Sequence, residues 1–384
     1  MRKQKIIGIV IIIVIVLAIL GINNRNIFND EQVIQDKQQI KQENLTIDEK
    51  VDKIVASMSQ TEKLGQMVMI GIQGTKVDDD SLYMLNQYHM GGVILFDRNM
   101  ESPEQVKQLT SDLQAQSNEK VPLFIGIDEE GGDVVRMAEK LTPPPSQKEI
   151  GATGDIEQAK TWAVKTAKSL KDMGVNVNFA PVADVGSNDK RSYSTDANTV
   201  IDFVRAATKG YQQENIIYSL KHFPGIGKGR VDSHVDSSSI DVTKEILMAE
   251  DIIPFKTIID ENEPNDYFIL VSHLKYPALD EEYPASLSSK IMTDLLRNKL
   301  GYKGIIITDD MEMGAVANHN DFRSIGVKAV KAGADIVLVC HEYKHQQEVY
   351  LGLLDAVNSG EISQERIDES VKRIIKVKLL HLYQ

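Results

Sequence analysis

The chain has 384 residues, 42% hydrophobic and 26% charged, which is enough for one large core or two ordinary ones and too apolar for general disorder. Its formal net charge of −13 excludes the basic face that a nucleic-acid partner would need. One cysteine, Cys340, excludes an internal disulfide and a cysteine-based zinc cluster.

The N-terminus reads as a membrane segment. The basic stretch Met1-Arg2-Lys3-Gln4-Lys5 precedes residues 6–22, about 17 positions without a charged side chain. That run is at the short end of a bilayer span and longer than a usual signal-peptide core. No small-x-small cleavage site follows, only Asn23-Asn24-Arg25-Asn26. The expectation is an uncleaved transmembrane anchor over residues 1–22, with the rest of the chain on the outer face of the cell membrane by the positive-inside rule. A cleaved signal peptide, and so a secreted protein, is the alternative. Residues 23–47, rich in Asn, Gln, Asp and Lys, read as a hydrated spacer.

From residue 48 to 384 short β-branched runs alternate with longer amphipathic stretches. Strands are predicted at 66–72, 92–96, 123–128, 175–185, 218–223, 267–273, 304–308 and 335–339. Helices are predicted at 103–117, 156–173, 199–214, 243–260, 288–299, 322–332 and 345–358, with a final one at 363–380. In the stretch 156–173, Trp162, Val164, Ala167 and Leu170 form the apolar stripe and Gly174 follows as a stop. Eight such alternations predict an α/β fold, a (β/α)8 TIM-type barrel forming a single domain.

Polar residues fall at the ends of these predicted strands: Asp97-Arg98, Asp128, Asp184, Lys221-His222, His273, Asp309-Asp310 and His341. Any one of these carboxylates can be a helix cap. Together they mark the C-terminal face, where barrel enzymes carry their chemistry. Arg98 reads as a structural ion-pair partner and Asp310 as the cap of the next helix. After Lys221-His222 the stretch Phe223-Pro224-Gly225-Ile226-Gly227-Lys228-Gly229 is flexible enough to carry Asp232-Ser233-His234. There is no glycine loop for a cofactor and no metal-ligand spacing, so neither is expected.

Five segments carry a family resemblance. Gly126-Ile127-Asp128-Glu129-Glu130-Gly131-Gly132 with Val135-Arg136 is similar to a D-x-E-G-G-x-V-x-R signature. Asn178-Phe179-Ala180-Pro181-Val182-Ala183-Asp184-Val185, Lys190-Arg191-Ser192-Tyr193, Lys221-His222-Phe223-Pro224-Gly225 with Asp232-Ser233-His234, and Ile307-Thr308-Asp309-Asp310-Met311-Glu312-Met313 follow in family order. The chain resembles glycoside hydrolase family 3, in its single-domain β-N-acetylglucosaminidase (β-hexosaminidase) branch.

The resemblance implies a retaining exo-β-N-acetylglucosaminidase that removes terminal N-acetylglucosamine from cell-wall saccharides such as muropeptides, as a monomer. It implies Asp309 as nucleophile, His234 as acid/base oriented by Asp232, and Asp128, Arg136, Arg191, Lys221 and His222 as sugar ligands. The sequence departs from the branch at Ile226, where a histidine is usual, and at Lys228-Gly229. A β-glucosidase or β-xylosidase, a glycoside phosphorylase, and a catalytically weak wall-saccharide-binding protein are the alternatives.

Overall fold

The computed structural model describes residues 45–117, 121–137, 141–186, 190–229 and 239–383. The expected anchor over 1–22, the spacer as far as residue 44, and Asp232 and His234 lie outside the described residues. Among the described residues no helix is long and apolar enough to cross a membrane. Ahead of the barrel, Thr46 and Glu49 cap each other reciprocally: Thr46 N–H donates to Glu49 Oε2 at 2.8 Å and Glu49 N–H to Thr46 Oγ1 at 3.3 Å.

Ten strands follow among the described residues: β1 Val68–Gly71, β2 Gly92–Leu95, β3 Phe124–Ile127, β4 Val177–Asn178, β5 Ile217–Phe223, β6 Tyr267–Val271, β7 Lys275–Tyr276, β8 Asp280–Pro284, β9 Ile305–Asp310 and β10 Ile336–Val339. Eight of them close a barrel in the order β1-β2-β3-β4-β5-β6-β9-β10, all pairs parallel, with β10 returning to β1 at Val68 opposite Val337. All eight predicted strands are present. β7 and β8 make a separate antiparallel hairpin after β6, between the strand predicted over 267–273 and the helix predicted over 288–299.

Helices sit between the strands, and most start where a side chain satisfies the first free N–H groups. Ser59, Asp78, Ser102, Ser146, Asp155, Asp196, Asp321 and Ser363 each accept from a backbone N–H in the first turn, and Pro103 follows Ser102 at the first helical position. Helix Ile156–Asp172 buries Ala159, Ala163, Thr166, Ala167 and Leu170. Its buried stripe is therefore rotated from the expected one, leaving Trp162 and Val164 half-buried. The small residues decide this. A Cβ on Gly210 of the neighbouring helix Ala197–Gln213 would fall 2.7 Å from Ala163 Cβ, so the helices meet where side chains are smallest. Gly174, with φ +77°, ends the helix in the left-handed region.

Two predicted elements come out broken. The strand expected over 175–185 pairs regularly only at Val177–Asn178, because Pro181 has no N–H to donate; Val182 rejoins β5 as a single bridge to Lys221. The helix expected over 243–260 divides into Lys244–Ile246, a wide turn over Leu247–Asp251, and Ile253–Glu261, with Pro254 near the start of the last piece.

The barrel interior is filled by side chains. Phe124 of β3 and Phe268 of β6 meet edge-to-face, 5.2 Å between centroids. Gly126 makes room for two further side chains: a Cβ there would lie 2.6 Å from Met69 Cε and 2.8 Å from the Phe179 ring. The N-terminal mouth is stoppered by a lysine. Lys378, on helix Gln364–His381, is fully buried, and its ammonium donates to Gln66 Oε1 at 2.6 Å and to Gly91 O at 2.7 Å, 4.7 Å above the Phe124 ring.

Candidate active site

At the opposite, C-terminal mouth lies a cavity of about 310 Å³. Asp128, Arg136, Arg191, Lys221, His222 and Asp309, all expected from sequence, line it. They arrive from five places: the end of β3, the loop after it, the loop ahead of helix Ala197–Gln213, β5 and β9. Glu130, which is not among the sugar ligands expected from sequence, pairs with both Arg191 and Lys221 at the centre of the cluster.

Lys221 Nζ donates to Asp128 Oδ1 at 2.7 Å and lies 2.6 Å from Glu130 Oε1. Arg191 grips the same Glu130 with two nitrogens, Nη2 at 2.7 Å and Nε at 2.9 Å. Burial works against the Glu130 charge, but Lys221 and Arg191 outweigh it and hold the carboxyl far below the usual range. Burial likewise opposes the Lys221 ammonium, and Asp128 and Glu130 overcome it and push its pKa up. Both groups therefore keep their charges in a buried wall.

His222 is fixed in one tautomer. Arg191 Nη2 lies 2.9 Å from His222 Nε2 and can only donate, so Nε2 accepts. The proton then sits on Nδ1, which donates to Asp184 Oδ2 at 2.8 Å. Asp184 Oδ1 takes the backbone N–H of His222 at 3.1 Å and of Ile226 at 2.9 Å. One buried carboxylate thus orients the imidazole and the start of the glycine-rich stretch. On the other side of the mouth Arg136 reaches Asp97 at 3.3 Å and Asp128 at 3.6 Å.

Asp309 and Asp310 belong to β9 itself. Asp309 lies half-buried on the cavity wall, and its Oδ1 accepts the Asp310 N–H at 2.9 Å. Asp310 is not the helix cap expected from sequence: the next helix, Gly314–Ala317, starts after Met313. Its Oδ1 instead accepts from Glu312 N and Cys340 N, each at 3.1 Å, and its Oδ2 lies 3.2 Å from His341 Nε2. Arg98 is not an ion-pair partner among the described residues. It clamps strand ends by carbonyls, Ile72 O at 3.0 Å and Cys340 O at 2.6 Å, and reaches His341 Nδ1 at 3.2 Å.

The departures from the family pattern have a local account. Lys228 is engaged by acidic partners: its ammonium donates to the fully buried Asp251 at 2.6 Å and lies 3.1 Å from Glu250. Burial raises the Asp251 carboxyl to about 6, with the Lys228 bond pulling the other way. Gly225 is obligatory beside it: with φ +124°, its Cβ would stand 2.8 Å from Asp251 Cβ. Ile226 contributes its N–H to Asp184 and its side chain to the cavity wall.

Glu129 faces elsewhere. It lines a second cavity, beside Trp162 and Leu141, and burial lifts its carboxyl to about 7. Among the described residues no group of histidine, cysteine and carboxylate side chains is arranged to hold a metal ion.

A closed parallel barrel whose C-terminal mouth gathers paired carboxylates and cations is the build of a (β/α)8-barrel enzyme. The model for the glycosyl hydrolase family 3 N terminal domain matches residues 59–377. Beta-hexosaminidase A of Pseudoalteromonas piscicida is 34% identical over 326 residues, 77% of this chain and 54% of the relative. A beta-hexosaminidase of Nitrosomonas eutropha is 31% identical over 318 residues, 79% of this chain and 90% of the relative. The solved family 3 beta-N-acetylglucosaminidase of a Paenibacillus species superposes with a TM-score of 0.81 at 37% identity, over 84% of this chain and 62% of that one. The chain belongs to glycosyl hydrolase family 3. It spans about half the length of the Pseudoalteromonas relative, and most of that from Nitrosomonas.

Proposed function

We propose that the chain is a retaining exo-β-N-acetylglucosaminidase acting on terminal N-acetylglucosamine of cell-wall saccharides. The observation that carries this is Asp309, a carboxylate at the end of a barrel strand, in one small cavity with Asp128, Lys221, Arg191 and His222. The names of the similar hexosaminidases and of the Paenibacillus structure support the substrate class.

In this reading the charged wall takes the hydroxyl and acetamido groups of one sugar ring, since buried donors and acceptors need partners. Asp309 attacks the anomeric carbon, the glycosidic C–O bond breaks, and the departing oxygen takes a proton. Water then attacks the glycosyl ester, losing a proton to the same base and freeing Asp309. His234, oriented by Asp232, is the proposed acid/base. The described carboxyls on the wall support looking beyond themselves for that proton. Asp128 and Glu130 are tied to cations, Asp310 to two backbone N–H groups, and Asp133 to Lys190 at 3.1 Å. Of the described residues near Asp232 and His234 in sequence, Ile226 lines the cavity and Ser239 bridges to Lys275 of the hairpin.

The test is a chromogenic β-N-acetylglucosaminide assayed against the matching glucoside and xyloside, with and without phosphate. Preferential hydrolysis of the first, independent of phosphate, is expected. A 2-fluoro sugar should label Asp309, and Asp309→Ala should lose at least about 1,000-fold in kcat with its unfolding midpoint kept. Labelling of Asp310 or Glu312, or phosphate-dependent turnover, would sink the reading. We further propose that residues 1–22 anchor the enzyme with the barrel outside; external protease should then release the barrel from intact cells, and a mature form starting near Asn23 would overturn that.

A further inference from the structure

His341 follows β10 and lies on the cavity wall, its side chain about half exposed. Nothing in the proposed reaction uses it. Its two ring nitrogens have partners of opposite demand. Arg98 Nη1 stands 3.2 Å from Nδ1, and a guanidinium only donates, so Nδ1 must accept. Nε2 then carries the proton, with Asp310 Oδ2 3.2 Å away. This geometry belongs to the neutral ring in a single tautomer.

The chain of contacts leads to the nucleophile. Asp310 Oδ1 is held by the N–H groups of Glu312 and Cys340, and its Oδ2 lies 3.2 Å from His341 Nε2. The N–H of the same Asp310 donates to Asp309 Oδ1 at 2.9 Å. Asp309 Oδ1 is thereby engaged, which leaves Oδ2 as the oxygen free of that bond.

We propose that neutral His341 is a positioning residue for the nucleophile: by donating to Asp310 and accepting from Arg98 it holds the end of β9 so that Asp309 presents Oδ2 to the anomeric carbon. This rests on Asp309 being the nucleophile. A second proton has only Nδ1 to go to. It would set an N–H of the ring against an N–H of Arg98, part that pair, and place a positive charge beside the attacking carboxylate. Activity then falls as His341 titrates.

The groups facing His341 pull in opposite directions. Asp310 and Glu312, from the end of β9 and the turn after it, favour the imidazolium; Arg98, from the turn after β2, opposes it, as does partial burial. The hydrogen bond to Asp310 prevails, so the second proton binds at higher pH than on an ordinary histidine. Arg136 also lies over the Phe96 ring, 5.3 Å from its centroid, and that ring is 5.3 Å from the His341 ring.

The test uses the full chain with an activated aryl N-acetylglucosaminide. Wild type should lose kcat/KM on the acid side with two protonations. His341→Gln, whose amide offers both a donor and an acceptor, should lose it with one, at lower pH. His341→Ala should lower kcat about tenfold with KM changed less than twofold, the scale of one lost hydrogen bond, and His341→Gln should recover part of that loss. Side-chain 15N spectra, with His341→Gln for assignment, should show His341 as the Nε2–H tautomer near pH 8. A Nδ1–H tautomer, or an acid limb identical in wild type and His341→Gln while the 2-fluoro sugar still labels Asp309, would overturn the proposal. If the label falls elsewhere while the tautomer is as stated, the nucleophile assignment fails and the His341–Asp310 contact stands.

Discussion

Glu129 is 4% exposed, and burial raises its carboxyl from an ordinary 4.5 to about 7. The Arg136 N–H, donating to its Oε2 at 2.7 Å, offsets only part of that. A folded value above the unfolded one means that the native state favours the protonated form. That stabilisation is complete below about pH 4.5 and is lost as pH rises through about 7. Glu129→Gln keeps an acceptor for Arg136 and removes the charge. It should stabilise the protein at pH 8 by up to about 3 kcal/mol and hardly at all at pH 4.5. Urea unfolding at the two pH values reads this; an equal effect at both would refute it. At this scale much of the site was legible, because Asp128, Lys221, His222 and Asp309 end apolar β-branched runs. The part of Glu130 was not. Its identity as the shared anchor of Lys221 and Arg191 depends on partners remote in sequence, and neighbouring Glu129, alike in sequence, faces another cavity.

Elements are joined by side chains that sequence assigns to neither. Glu312, just past β9, caps helix Tyr343–Asn358 from outside: its carboxylate accepts from the N–H groups of His341 and Glu342, the latter at 3.0 Å, and from His345 Nδ1 at 2.6 Å. The helix's own flanking residue, Glu342, makes no side-chain cap. A carboxylate at a helix N-terminus also meets the favourable end of the dipole. Glu312→Ala should therefore destabilise the fold by about 2 kcal/mol, within the range for lost caps and buried acceptors. Glu312→Gln should recover part of this in thermal unfolding; no change in either variant would show that the helix start needs no partner. Periodicity found the helices and strands because each buries one face. It overran at 175–185 and 243–260, where Pro181 and Pro254 interrupt patterns whose apolar residues continue.

For the whole molecule, eight repeats of strand and helix made the barrel readable, since a parallel sheet needs such crossovers. How its lower end is closed was not readable. Lys378 falls between Val377 and Leu379 in helix Gln364–His381, where a lysine is ordinarily the exposed side of an amphipathic helix. Burial instead lowers its pKa well below 10.5. For a lysine shifted downward the unfolded chain binds the proton more tightly, so stability rises as pH climbs from the folded value toward about 10.5. Lys378→Met should flatten that rise, as followed by unfolding midpoints between pH 7 and 10. A variant with the wild-type slope would refute the assignment.

The same lysine bears on how the protein is made. Its acceptors, Gln66 and Gly91, lie 312 and 287 positions earlier in the chain. β1 likewise waits for β10 to supply the strand opposite Val68-Met69-Ile70. At about 5–20 residues per second, a ribosome would finish β1 roughly 15–60 s before it finished the helix that seals its end. For that interval an apolar edge strand stands unpaired, the condition under which chains associate with one another. A nascent chain arrested at residue 332 should stay protease-sensitive and bound to chaperones, whereas one extended past residue 381 should become resistant. The barrel's lower stopper is thus synthesised long after the segments it closes.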